Sequence, residues 1–65
     1  MSDEALNMSM RKFLKQVGVT SQQQIERAVR EAGAAGKLKA KMVLTIEGID
    51  MTHVIEGEID AGDGN

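Results

Sequence analysis

Apolar residues recur every three or four positions in the first half of the chain and every second position later on. The change falls at Lys37 to Lys41. Such rhythms record which side of each element avoids water, so a period near 3.6 predicts helix and a period of 2 predicts strand. The first stripe is Leu6, Met10, Phe13, Leu14 and Val17. It predicts a helix from about Asp3 to Val17. Ser2 or Asp3 can cap its start with a side-chain oxygen. Asp3 and Glu4 suit the positive end of the helix dipole, and Arg11, Lys12 and Lys15 suit the negative end.

Gly18 reads as the stop of this helix, because glycine takes the left-handed C′ conformation without a Cβ penalty. With Gly18 at C′, Leu14 and Val19 are placed for the apolar contact of a Schellman turn. Thr20 with Gln23 and Ser21 with Gln24 each fit a capping box. A second helix is therefore expected from about Ser21 to Ala35, burying Ile25, Ala28, Val29 and Ala32. Glu26 with Arg30 and Arg27 with Glu31 form opposite-charge pairs four residues apart. Gly33 weakens the last turn by about 1 kcal/mol relative to alanine, and Gly36 is the expected stop.

The remainder reads as a hairpin. Ala40, Met42, Leu44 and Ile46 share one side of the first strand, and His53, Ile55, Gly57 and Ile59 share one side of the second. A loop of Gly48, Ile49, Asp50 and Met51 sets Ile46 against His53 and Leu44 against Ile55. It also sets Lys41 against Glu58 and Lys39 against Asp60, and opposite charges directly across a strand pair are favourable. A slip of one residue would mix the two sides, which fixes the parity; a slip of two would preserve them. The expected fold is α+β: two helices packed on one face of a C-terminal antiparallel β-hairpin, in the order α-α-β-β. Residues 1–60 form a single small domain on this reading, and 61–65 form a disordered tail.

Composition narrows the function classes. A chain of 65 residues buries only about 60% of its unfolded surface. Small domains compensate with disulfides, metals or partner subunits. Cysteine is absent and there is one histidine, which removes disulfides and the usual zinc sites. Self-association remains: a homodimer formed by edge pairing or face packing is the expected compensation, with a marginal monomer as the alternative. Lys39 and Lys41 are charges of the kind that blunt edge pairing at the first strand. Phe13 is the only aromatic residue, so no stacking platform for single-stranded bases exists. No stretch can cross a bilayer, and the acidic start does not resemble a signal peptide. A soluble cytoplasmic protein is expected, with no cofactor, no metal and no membrane contact.

Charge is divided unevenly. Residues 1–41 carry eight Lys and Arg against four acids, a net of +4, and residues 42–65 carry six acids, a net of −6. Mutual attraction of the halves, within a chain or across a dimer, is the simpler account, because the basic residues form no single run. A nucleic-acid surface made of Arg11, Lys12, Lys15, Lys37 and Lys39 is the alternative. Two helices and a hairpin resemble the end of a winged helix-turn-helix, although that fold needs a third helix. Glu26 and Glu31 would also oppose phosphate on the helix that reads the groove.

Other motifs carry little. His53 lies near Glu47 and Asp50 but no nucleophile accompanies it. The stretch from Asp60 to Asn65 lacks the oxygen ligands of a calcium loop. Glu56 and Glu58 lie roughly 7 Å apart on one strand side, opposite lysine and with no cleft. The most concrete surface is the polar side of the hairpin, where Val43, Val54, Thr45 and Thr52 form a candidate protein interface. The expected function is a non-enzymatic interaction or regulatory module that binds a protein or its own copy.

The segment from Asn7 to Gln22, together with Leu44-Thr45-Ile46, His53 and Glu56-Gly57-Glu58-Ile59, resembles a family of small bacterial proteins of unknown function. The resemblance covers nearly the whole chain. It implies a cytoplasmic bacterial protein, and a Gly36 to Lys41 link shorter than the family's. It supplies no catalytic or binding residues.

Overall fold

A computed structural model describes residues 3–63. Ser2 as a cap, and Gly64 and Asn65 of the expected tail, lie outside the described residues. The elements are one helix, α1 (Asp3–Ala32), and two strands, β1 (Lys37–Thr45) and β2 (Thr52–Asp60). The chain divides into two compact units at Ala32 and Gly33. The α+β class stands, with a single helix in place of the two expected.

The helix runs for 30 residues through the expected break. Gly18 has no positive φ, so it is an ordinary helical residue and there is no Schellman turn. The Thr20 hydroxyl donates to the Gln16 carbonyl at 2.7 Å. It bonds back along the helix instead of capping a new one. Two physical facts favour continuity. A break exposes the unsatisfied backbone groups of two extra helix ends, up to four N–H and four C=O, whereas one internal glycine costs about 1 kcal/mol. The apolar stripes also overlap at Ala28, although Ile25, Val29 and Ala32 lie further round the helix. Val17 and Ala28 stand eleven residues apart, about three turns at 3.6 residues per turn. Leu6, Met10, Val17 and Ala28 therefore lie along one face of a straight helix.

Continuity changes the electrostatics as well. Asp3 and Glu4 remain in the first turn and Arg30 occupies the last, each favourable to the dipole. Arg11, Lys12 and Lys15 now lie mid-helix, where the dipole contributes little. The helix ends at Ala32, and Gly33 is the stop, with φ of 62°. Gly36, with φ of 77°, turns the chain into β1.

A Cβ at Gly18 would meet nothing within 4 Å. Gly18→Ala is therefore expected to stabilise the helix by about 1 kcal/mol. Thermal unfolding at fixed protein concentration checks this. A left-handed Gly18 at a helix stop would give the opposite sign.

The hairpin is antiparallel, and its register pairs Lys37 with Asp60, Lys39 with Glu58, Lys41 with Glu56, Val43 with Val54 and Thr45 with Thr52. On the other side Leu38 meets Ile59, Ala40 meets Gly57, Met42 meets Ile55 and Leu44 meets His53. The parity is as expected, but the strands are slipped by two residues. Ile46 lies beyond β1, and the connection spans residues 46–51 with Gly48 at φ of 93°. The slip brings three opposite-charge pairs into line instead of two, and adds Val–Val and Thr–Thr pairs. Each such pair contributes roughly 0.2–1 kcal/mol. Lengthening the loop costs less than the ~0.6 kcal/mol of a full doubling. Cross-strand chemistry therefore wins over loop length.

The hairpin continues past Asp60. The Ala61 N–H donates to the Gly36 carbonyl at 2.8 Å, and the Gly36 N–H donates to the Gly62 carbonyl at 2.8 Å. The Gly62 N–H donates to Asp60 Oδ1 at 2.9 Å, an Asx turn.

Candidate interaction surface

The polar side of the hairpin is built by the period-2 alternation of two nine-residue strands. Its lower part is a ladder of Lys37, Lys39 and Lys41 against Asp60, Glu58 and Glu56. Its upper part, toward the loop, is apolar and hydroxylic. The candidate residues Val43 and Val54 are direct partners, and so are Thr45 and Thr52. All four occupy two adjacent rungs. Val43 is 54% exposed and Val54 is 44% exposed. This apolar patch is thus open to water in the single chain.

The basic candidates are divided between the units. Arg11, Lys12 and Lys15 line one shallow, open depression on the helix surface with Ala5, Met8 and Ser9. Lys37 and Lys39 belong to the hairpin and face Asp60 and Glu58. Each of these lysines stands one rung across from a carboxylate. His53 is exposed and stands opposite Leu44 on the apolar side. Among the described residues no group of three or more His, Asp or Glu could hold a metal ion. No described helix is long and apolar enough to cross a membrane.

Among the described residues none is buried. On the helix Phe13 is 50% exposed and Leu14 is 55% exposed. On the apolar side of the hairpin Leu38, Ala40, Leu44 and Ile59 are only half-buried. Large side chains of this kind each gain about 1.5–3 kcal/mol when removed from water. Each unit taken by itself leaves most of that gain unrealised.

The signal that would have found the ladder is the charge spacing. Three lysines at period 2 and three acids at period 2 align along their whole length in only one antiparallel register, the one observed.

One amphipathic helix followed by a charged hairpin defines a small α+β helix–hairpin protein. The chain belongs to the family of unknown function DUF6494, whose family model matches residues 1–62. No curated protein and no solved structure matches it.

Proposed function

We propose that this chain is a non-enzymatic interaction module that completes its fold by associating with further copies of itself. One observation carries the reading: no described residue is buried. A two-stranded hairpin is marginal alone in water, and most helical stability comes from packing an apolar face rather than from propensity. Neither unit by itself covers its own apolar side. The rungs of Val43, Val54, Thr45 and Thr52 supply one apolar patch, and the helix stripe supplies another. A cytoplasmic location and a bacterial source fit this reading.

Sedimentation velocity at micromolar concentration tests it. The expected mass is a multiple of the 7.0 kDa chain. A folded species at the mass of one chain would contradict it.

The common face of Arg11, Lys12 and Lys15 favours a second reading, binding of nucleic-acid phosphate by the helix. Three cations give a weak, salt-sensitive site. Titration with mixed duplex DNA at low salt, followed by amide shifts, separates the two. Shifts confined to the turns around Arg11 and Lys15 support the second reading.

A further inference from the structure

The two outer edges of the hairpin carry opposite charge, and their backbone groups are in step. In an antiparallel ladder, residues in hydrogen-bonded pairs point N–H and C=O inward, and the intervening residues point them outward. The Ala61 to Gly36 hydrogen bond fixes the phase. It follows that Leu38, Ala40, Met42 and Leu44 bond inward. Lys37, Lys39 and Lys41 then offer free donors and acceptors along the outer edge of β1. By the same alternation Glu56, Glu58 and Asp60 offer theirs along the outer edge of β2.

We infer that copies of this chain join head to tail, with the outer edge of β1 in one copy pairing antiparallel with the outer edge of β2 in the next. The pairing reuses the register found within the chain, Lys37 to Asp60, Lys39 to Glu58 and Lys41 to Glu56. The outward groups on the two edges meet as hydrogen-bonded pairs, and the apolar sides of successive hairpins form one continuous surface. Val43 and Val54 again become neighbours, now between copies.

A two-fold arrangement is inferior on the same grounds. Pairing β1 with its own copy along its full length sets Lys41 against Lys41, and leaves Lys39 and Lys37 opposite Val43 and Thr45. Pairing β2 with its own copy sets Glu56 against Glu56. Neither gains an opposite-charge pair, and each places like charges across a rung, which is unfavourable. Edge lysines are also a common device against such pairing. A head-to-tail contact is heterologous, so the assembly closes as a ring or extends.

This inference rests on the self-association proposed above. The test is a charge-reversed chain carrying Lys37→Glu, Lys39→Glu, Lys41→Glu, Glu56→Lys, Glu58→Lys and Asp60→Lys. Each rung within the chain keeps its opposite charges. Isotope-labelled wild type and the reversed chain are mixed, equilibrated and weighed by native mass spectrometry. Head-to-tail pairing sets like charges between the two kinds, so mixed assemblies are expected about fivefold or more below the statistical proportion. Enriched mixed species would indicate two-fold edge pairing, and statistical mixing would indicate a charge-blind surface; either overturns the inference while leaving self-association intact. Single-chain masses for both proteins would overturn self-association as well.

A second measurement needs no variant. Raising ionic strength to about 1 M, where the Debye length is about 3 Å, is expected to lower the mean mass of the wild-type assembly at least twofold. An unchanged or larger mass at high salt overturns the inference.

Discussion

Ser21→Pro is expected to cost about 3 kcal/mol or more and to remove much of the helical circular-dichroism signal. Ser21 lies inside the continuous helix α1. A proline there has no N–H to donate to the Val17 carbonyl, and its ring collides with that carbonyl. The same substitution would be welcome if a second helix began here. With Thr20 as N-cap, Ser21 would be the first helical position, where proline is favoured. The two architectures therefore predict opposite signs from one variant. Urea unfolding at fixed protein concentration gives the answer, since association shifts apparent stability. An unchanged midpoint with full helicity would place a break between Val17 and Ser21.

A pair of prolines in β1 has the second largest effect. Met42 stands opposite Ile55 and, by the alternation set at Gly36, donates its N–H across the ladder. Met42→Pro deletes that bond and leaves the Ile55 carbonyl unsatisfied, a loss on the order of 1–3 kcal/mol. A two-stranded sheet has no reserve to absorb this, so the strand signal is expected to disappear. Val43, one residue on, directs its N–H away from β2. Val43→Pro is therefore expected to leave the hairpin folded, because proline is tolerated on a strand edge with its nitrogen facing out. It should instead abolish growth of the assembly by removing an edge donor. Amide and Hα chemical shifts read the first effect and sedimentation reads the second. Loss of the hairpin in both variants, or in neither, would contradict the assigned ladder phase.

The strands were legible because their signal is local. Alternation at Ala40, Met42 and Leu44, and again at Ile55, Gly57 and Ile59, leaves no other period. Parity followed, since one face is apolar. The exact register did not follow, because a slip of two keeps both faces and only the rung chemistry separates the choices. Counting opposite-charge rungs would have placed Lys37 against Asp60 and extended the loop to residues 46–51.

The helix shows the converse failure. Gly18, Thr20 and Ser21 carry good end signals, yet such signals are weak preferences of about 1 kcal/mol each. The unsatisfied backbone groups of two extra helix ends outweigh them, and the helix runs through. Gly33 and Gly36 compete in the same way for the stop; both adopt positive φ, and the helix ends before the first. That Val43, Thr45, Thr52 and Val54 share one side of the hairpin followed from the alternation. Their pairing did not, because it depends on the register. That no described residue is buried could not be read from the pattern at all. A pattern marks which side chains should avoid water, and leaves open which chain covers them.

The most direct test follows mass and structure together on dilution. Far-UV circular dichroism and sedimentation are measured on the same samples from high to low micromolar concentration and below. If the chain lacks an interior of its own, helical and strand signals should fall in step with the mass as assemblies dissociate. Full secondary structure persisting in a species of 7.0 kDa would contradict that account.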